Sequence, residues 1–251
     1  MTKHPLIALW CHPRSMSTAM ERVMRARGDV RCFHEPFMYY YYLGEGRGRF
    51  PHFEPQEGHP RTYSAIKAML YEAAEAGPVF FKDMSYYVMP DALTDDDLVD
   101  RVINVFLVRD PRRSIASYYK LDPEMSLTEI GLEAQYQHAA HIADRKGAWP
   151  LVLEAERVQA APQESADALF AACGLPPAPH ALDLKDVIPN EWKGVENWHR
   201  AALSNDRIRS AETLPDADEV FEAAARNAPH LRAMLAHHWP FYEKLCARAL
   251  P

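Results

Sequence analysis

The stretch Leu6–Arg27 reads LIALWCHPRSMSTAMERVMRAR and decides how the rest of the chain can fold. Its residues 6–10 form a short, uninterrupted apolar run, which is typical of a strand buried on both faces of a parallel sheet. A polar turn with a proline follows, and from Ser17 apolar residues recur at helical spacing until Gly28. The stretch therefore predicts a strand, a tight loop and a helix.

The loop between that strand and that helix is a candidate anion site. In this geometry backbone N–H groups and the positive end of the helix dipole face one point beyond the strand. Ser15, Ser17 and Thr18 would add hydroxyl donors, and Arg14 adds a permanently charged guanidinium that can hold two oxygens. The nucleotide-triphosphatase pattern G-x-x-x-x-G-K-[ST] is absent. An ordinary helix cap built from serines is the alternative interpretation.

Length and composition favour one large α/β domain. The 251 residues are 48% apolar, so we expect a single domain over 1–251, with a core over 5–176 and a helical closing segment over 177–251. The net charge of −7 argues against a nucleic-acid partner. Four cysteines without paired spacing, no signal peptide and no membrane-length apolar run lead us to expect a soluble cytoplasmic protein without a membrane partner.

Strand and helix patterns alternate along the rest of the chain, which predicts a parallel sheet. Further strands are expected at 30–33, 79–81, 102–108 and 150–154, and helices at 63–76, 127–146, 163–173, 216–227 and 230–248. The segment 39–61 is rich in glycine, proline and aromatic residues. We expect it to be irregular, as a loop over the substrate or a disordered stretch.

A second candidate anion site follows the longest strand pattern, at 109–117 with the sequence RDPRRSIAS. Arg109 stands where the strand ends, and Ser117 lies eight positions later, two turns into a helix that Pro111 opens. Both side chains could therefore reach one phosphate. We expect Arg112 and Arg113 to be solvated surface residues.

These two motifs, taken together and in this order, resemble those of the sulfotransferases that use 3′-phosphoadenosine 5′-phosphosulfate. HPRSMST is similar to the family's 5′-phosphosulfate loop, and VRDP with Ser117 is similar to its 3′-phosphate motif. A third similarity is Leu153-Glu154 with Pro162 and the Gly174-Leu175-Pro176 helix end. The resemblance covers about residues 6–176, and Met16 departs from it because glycine is usual there.

The resemblance implies a three-layer α/β/α fold of the P-loop NTPase-like sulfotransferase type. It implies 3′-phosphoadenosine 5′-phosphosulfate as the sulfuryl donor, with adenosine 3′,5′-bisphosphate as the product and no metal. Lys193-Gly194 also resembles a lysine-glycine loop that covers the nucleotide in the cytosolic branch. The residues it places at the donor are Arg14, Ser15, Met16, Ser17, Thr18, Arg109 and Ser117.

The acceptor must lose a proton during the transfer, so a base is expected near Arg14. Glu35 ends the strand after the Arg14 loop, a placement similar to the glutamate base of the tyrosylprotein-type and bacterial trehalose-type branches, and His34 is the reserve candidate. Lys82 ends the next strand and is expected to stabilise charge on the bridging oxygen. A salt bridge to Arg14, or a helix cap, is the structural alternative for Glu35.

The acceptor is expected to be a small hydroxylated molecule enclosed by the aromatic residues 39–42 and 86–87. The histidine pairs 138/141 and 237/238 have no partner that would complete a metal site, so we expect them on helix surfaces. Two other functions stay open. One is a kinase-like phosphoryl transferase with Asp83 and Asp110 as metal ligands, and the other is a non-catalytic nucleotide-binding protein.

Overall fold

A five-stranded parallel sheet lies at the centre of the computed structural model, which describes residues 3–48, 54–185, 187, 189, 192, 198, 205–210 and 214–250. The strands are β1 (Leu6–Cys11), β2 (Arg31–His34), β3 (Val79–Met84), β4 (Ile103–Val108) and β5 (Leu151–Glu154). Their spatial order is β2-β3-β1-β4-β5, and every pairing is parallel. The predicted parallel sheet is therefore confirmed.

Helices cover both faces of this sheet. All six residues of β1 and all six of β3 are buried. Because successive side chains in a strand point to opposite faces, this burial requires a layer of structure on each side. The result is the expected three-layer α/β/α fold. The helices are α1 (Ser17–Ala26), α2 (Tyr63–Ala76), α3 (Asp96–Arg101), α4 (Pro111–Tyr119), α5 (Leu132–Lys146), α6 (Ala155–Ala160), α7 (Pro162–Ala172), α8 (Ala217–Ala225) and α9 (Leu231–Cys246).

The central strand β1 brings the two predicted anion loops to one edge of the sheet. It pairs with β3 on one side and with β4 on the other. Gln135 of α5 ties the ends of β1 and β4 together, since its side-chain amide donates to the carbonyls of Trp10 at 3.1 Å and Leu107 at 2.8 Å. The crevice beside the carboxyl ends of such strands is where ligands bind in this architecture.

The start of the segment 39–61 is ordered core, which corrects our expectation of an irregular covering loop there. Tyr40–Gly44 form a π-helical turn, and the four tyrosines 39–42 are all buried. The turn is anchored from β3, because the Asp83 carboxylate accepts a hydrogen bond from the Phe37 amide at 2.9 Å. Aromatic side chains that pack so closely against one another exclude water, so this stretch adds to the core.

Two of the four histidines expected on helix surfaces are also buried. His138 lies between the rings of Trp10 and Phe106, with centroid distances of 4.6 and 5.6 Å. Burial lowers its pKa to about 3, so the ring is neutral. His238 is buried as well, and its Nε2 donates to the Leu127 carbonyl at 2.9 Å. A neutral imidazole packs in a core much as an aromatic ring does, which the sequence pattern could not distinguish from a surface position.

Gly131, just before α5, provides a test of this packing. It has φ +82°, and an added Cβ would lie 3.1 Å from the Tyr86 ring and 3.2 Å from His12. Gly147 at the other end of α5 has φ +70° with open space around it. We expect Gly147→Ala to cost about 1 kcal/mol of unfolding free energy through strain alone. Gly131→Ala should cost about 1–3 kcal/mol more through overpacking. Urea unfolding measures both, and equal losses would contradict the packing described around His12.

Candidate functional site

A cavity of about 200 Å³ opens at the carboxyl edge of the sheet. It is bounded by the loop after β1, the ends of β2 and β3, and residues before α8. Two of the predicted site residues, Ser15 and Ser117, do not line it. The seven predicted residues that do are Arg14, Met16, Ser17, Thr18, Glu35, Lys82 and Arg109.

The loop after β1 bends sharply enough to expose its backbone to the cavity. Arg14 has φ 64° and Met16 has φ 71°, both in the left-handed region. Met16 therefore holds a conformation that suits glycine, the residue usual at its position in the resemblance. Met16 makes no side-chain capping hydrogen bond with any residue that the structure describes, and the first turn of α1 carries no acidic residue. The first N–H groups of α1 and its positive dipole end thus act directly on the cavity.

The two predicted anion loops are joined by hydrogen bonds. The Arg109 guanidinium donates to the Arg14 carbonyl at 2.8 Å, and the Arg109 backbone amide donates to Nε2 of His12 at 3.1 Å. In the other direction, Nε of Arg14 donates to the Ser117 hydroxyl at 3.0 Å. Ser117 therefore takes part in the site through Arg14, although it does not line the cavity.

The charges around these loops favour an anion. Burial, with the nearby positive charge of Arg109, lowers the pKa of Arg14 to about 10. Burial also lowers the pKa of Arg109, whose Nε lies 3.9 Å from Glu156 and has no hydrogen-bond partner among the described residues. In the part of the chain that the structure describes, no carboxylate forms an ion pair with Arg14. Two cations held this close are stabilised when an anion lies between them.

Glu35 and Lys82 form a buried ion pair at the floor of the cavity. The pair follows from strand register, because His34 of β2 lies opposite Lys82 of β3 and the Glu35 amide donates to the Lys82 carbonyl at 3.0 Å. The Lys82 ammonium contacts Oε1 of Glu35 directly. The alternative in which Glu35 pairs with Arg14 is therefore not the arrangement observed. Oε2 of Glu35 accepts a hydrogen bond from the Tyr87 hydroxyl at 3.2 Å.

The pair keeps both groups charged despite their burial. Burial alone would raise the pKa of Glu35, but the adjacent Lys82 ammonium more than offsets it, so this pKa lies below its usual value. Burial would likewise lower the pKa of Lys82, and Glu35 reverses that effect. Glu35 is consequently an ionised carboxylate at neutral pH, with an oxygen that can accept a proton.

Aromatic side chains form the wall next to Glu35. Tyr86, Tyr87 and Tyr118 line the cavity, together with Met84 and Trp198. The predicted residues 39–42 lie behind this wall and are not among the lining residues, which corrects the expectation that they enclose the acceptor. They support it instead, since the Tyr42 and Tyr86 hydroxyl oxygens are 3.3 Å apart.

Part of the site comes from the C-terminal portion of the chain, which the motifs did not predict. Asn205, Arg207 and Arg209 line the cavity. Arg22 on α1 holds this portion, since it donates to the carbonyls of Asn205 at 2.7 Å, Val187 at 3.1 Å and Leu184. A sequence signal for Arg22 existed, because it lies one helical turn after Thr18. The Lys193-Gly194 prediction lies outside the described residues.

Over the described residues, no three His, Cys, Asp or Glu side chains are grouped so that they could hold a metal ion. No helix in the same part of the chain is both long and apolar enough to cross a membrane.

The Lys82–Glu35 pair predicts an inverted dependence of stability on pH when the ammonium is removed. In the wild type, the low pKa of Glu35 gives stability that is present above pH 4.5 and lost as pH falls through the folded pKa. In Lys82→Met the buried, unpaired carboxylate should have a raised pKa, so stability is lost as pH rises. Each unit of that rise costs about 1.4 kcal/mol at high pH.

Urea unfolding between pH 5 and 8 measures this dependence for the wild type, Lys82→Met and the double variant Lys82→Met/Glu35→Gln. The double variant should be more stable than Lys82→Met at pH 8, because it carries no unpaired buried charge. Its free energy of unfolding should also not fall with rising pH as that of Lys82→Met does. Parallel pH profiles for all three proteins would show that the two groups do not interact.

Three solved structures similar to this chain are sulfotransferases or sulfotransferase domains. No curated protein matches the chain. A sulfotransferase from Alicyclobacillus acidocaldarius is similar in structure, with TM-score 0.55, 15% identity and coverage of 98% of this chain and 97% of that one. A sulfotransferase domain from the curacin biosynthetic pathway has TM-score 0.53 and 14% identity, with coverage of 90% of this chain and 98% of that one. The sulfotransferase domain of the Synechococcus PCC 7002 olefin synthase has TM-score 0.51 and 16% identity, with coverage of 88% of this chain and 94% of that one.

At these identities the structures show a shared fold. The family assignment comes from the sequence model of the sulfotransferase domain, which matches residues 6–249. Since that match spans nearly the whole chain, and since the two joined anion loops and the buried carboxylate lie within it, the chain belongs to the sulfotransferase family.

Proposed function

We propose that this chain transfers a sulfuryl group from 3′-phosphoadenosine 5′-phosphosulfate to a hydroxyl group of a small acceptor, with Glu35 as the base. One observation carries the proposal. Arg14 and Arg109, from two loops joined by a hydrogen bond, line the same cavity as an ionised carboxylate paired with a lysine. Anion binding and proton removal are the two tasks of this reaction, and the cavity has groups for both.

The residues present fit such a donor. Within the described chain, the Nε of Arg109, a residue that lines the cavity, has no hydrogen-bond partner, and such a group is costly unless an acceptor reaches it. Arg14, Thr18 and the α1 amides would hold the 5′-phosphosulfate. Arg109 and Ser117 would hold the 3′-phosphate. When bound, the donor supplies an activated sulfuryl group on a leaving phosphate.

The remaining work is done by side chains at the cavity floor. Glu35 would accept the proton of the acceptor hydroxyl as the sulfuryl group moves in line, since its carboxylate is ionised and partly exposed to the cavity. Lys82 would stabilise charge on the bridging oxygen. Its ammonium already contacts Glu35 and lies 3.5 Å from the Ser17 hydroxyl of the donor loop, so it sits between base and donor.

We propose an uncharged acceptor with an apolar body. The wall beside Glu35 is made of rings, and two of their hydroxyls, on Tyr86 and Tyr87, are engaged by Tyr42 and Glu35. Among the described lining residues Glu35 is the one carboxylate, and Lys82 neutralises it, so a cationic acceptor has no counter-charge there. Small phenols are suitable probes of such a wall.

We further propose that residues 177–251 close the site within a single domain. This portion supplies Arg207 and Arg209 to the cavity, and the Arg209 carbonyl accepts a hydrogen bond from Gln159 at 3.1 Å. The two cations are exposed, so they can meet an entering anion before it reaches Arg14.

The kinase-like alternative has little support in the geometry. Asp83 is fully buried, does not line the cavity, and accepts from the Phe37 amide. Asp110 caps α4 and forms an ion pair with Arg112 at 2.6 Å. Both carboxylates thus have structural roles away from the position that a nucleotide-bound metal would need.

Nucleotide binding tests the donor assignment. Arg14→Ala and Arg109→Ala should each weaken adenosine 3′,5′-bisphosphate by about 10- to 100-fold in calorimetry, because each removes a charge-assisted contact worth about 1.5–3 kcal/mol. Arg109→Ala and Ser117→Ala should weaken adenosine 5′-monophosphate much less than the bisphosphate, since the monophosphate lacks the 3′-phosphate.

Arg113→Ala is the matched control. It removes one positive charge from α4, and the Arg113 side chain is not part of the cavity lining, so it should leave affinity within about twofold. Equal weakening of both nucleotides by Arg109→Ala would overturn the 3′-phosphate assignment, and tighter binding of ATP with Mg²⁺ than of the bisphosphate would favour a kinase.

Glu35→Gln tests the base. The amide keeps the shape of the carboxylate and removes its basicity, so turnover of the donor with a phenol should fall by about 100-fold or more. Affinity for adenosine 3′,5′-bisphosphate should stay within a few-fold. A variant with full turnover would assign the base to another group.

A further inference from the structure

A second carboxylate lies behind Glu35 and is linked to it by His34. Nδ1 of His34 is 2.6 Å from Oε2 of Glu21, and both side chains are buried. Arg25 donates to the other oxygen of Glu21 at 2.8 Å. Nε2 of His34 lies 3.9 Å from Oε1 of Glu35. Glu35, just after β2, His34 at the end of β2, and Glu21 and Arg25 of α1 therefore form a line that starts at the cavity.

The Glu21 contact determines which nitrogen of His34 carries the proton. An ionised carboxylate only accepts, so a 2.6 Å contact places hydrogen on Nδ1. Trp192 directs its indole N–H at the same Nδ1 from 3.0 Å, and a donor there favours an Nδ1 without hydrogen. The contact with the Glu21 carboxylate is shorter and charge-assisted, so it outweighs this neutral donor. Burial, with the Lys82 charge, holds the pKa of His34 well below its usual value, so the ring is neutral. Its Nε2 lone pair then faces Glu35.

We propose that Nε2 of His34 receives the proton that Glu35 takes from the acceptor hydroxyl, and that Glu21 orients the ring for this step. The inference rests on the proposed function. The acceptor O–H bond breaks as an O–H bond forms on Glu35. That O–H bond then breaks as the same proton binds to Nε2 of His34, while Nδ1–H remains hydrogen-bonded to Glu21. The gap of 3.9 Å must close by about 1 Å for the second transfer. His34 acts through Glu35 and is not itself a catalytic residue.

The charges that face His34 explain why the proton would move inward. Once Glu35 is protonated, the buried Lys82 ammonium has lost its counter-charge, which is costly. Passing the proton to His34 restores that ion pair and puts the new positive charge beside Glu21. The charged groups around the ring are Glu21 and Arg25 from α1, Glu35 and Lys82. Of these groups, Glu21 and Glu35 favour a positive charge on the ring, and Glu21 is the carboxylate in direct contact with it.

Nitrogen NMR tests the starting state without any acceptor. In protein labelled with ¹⁵N-histidine and saturated with adenosine 3′,5′-bisphosphate at pH 7, His34 should show a protonated Nδ1 and an unprotonated Nε2. His34→Asn identifies its signals by their loss. Glu21→Gln should weaken the Nδ1–H preference, since a neutral amide replaces the anion. A wild-type ring protonated at Nε2 would overturn the inference.

Kinetics with two phenols separates proton transfer from a structural role. His34→Asn keeps a donor for Glu21 and lacks the Nε2 acceptor, so kcat with phenol should fall by about 10- to 100-fold. With the more acidic 4-nitrophenol the loss should be about threefold or less, because its proton leaves more easily. The control is His138→Gln, at a buried histidine that packs on Trp10 and Phe106 and does not line the cavity. This variant should change kcat by the same factor with both phenols.

Equal losses of kcat with both phenols in His34→Asn would overturn the role of His34 while leaving the proposed function intact. A wild-type protein that neither binds adenosine 3′,5′-bisphosphate nor sulfates any phenol would overturn the proposed function and this inference with it. The bisphosphate affinity of His34→Asn should stay within about twofold of wild type, and a larger loss would assign the residue to nucleotide binding.

Discussion

The buried ion pair between Lys82 and Glu35 is the constraint around which the site is arranged. Two charges removed from water must be paired and hydrogen-bonded, or the fold loses several kcal/mol. The parallel register of β2 and β3 provides the pairing, because it brings Glu35 next to Lys82 where the strands end. Tyr87 satisfies the second oxygen of Glu35, and Ser17 lies near the ammonium. The loop after β1, the aromatic wall and the ends of β2 and β3 thus meet at one pair of charges.

Backbone strain is concentrated at the same place. Of the non-glycine residues that the structure describes, Arg14, Met16 and Glu35 are those with positive φ, and all three line the cavity. Left-handed conformations cost such residues on the order of 1–2 kcal/mol each. The sheet and α1 hold these residues in place, since β1 is buried completely and α1 packs on β2 and β3. The stable core therefore supports an arrangement that the loops alone would not adopt.

The sequence was sufficient for the sheet, the order of helices and most of the cavity floor. Apolar runs and turn residues are local signals, so β1 to β5 and the Arg14 and Arg109 loops could be predicted. The role of the tyrosines 39–42 could not, because glycine and proline nearby suggested a loop. Their burial depends on the hydrogen bond from Phe37 to Asp83 that anchors the turn and on the contact of Tyr42 with Tyr86. Helix α6 was not predicted either, because it begins directly after β5 with no turn residue between them. The cavity wall from 205–209 depends on contacts with Arg22 and Gln159, far away in sequence.

Arg22 holds the C-terminal portion through main-chain carbonyls of Leu184, Val187 and Asn205. Every residue type offers the same carbonyl, so this attachment places no demand on the side chains of the segment it holds. Those side chains include the ones that line the cavity at 205 and beyond. The attachment and the chemistry of the cavity wall can therefore diversify separately. New acceptor preferences could evolve, or be engineered, by changing residues of this segment while its anchorage to α1 is retained.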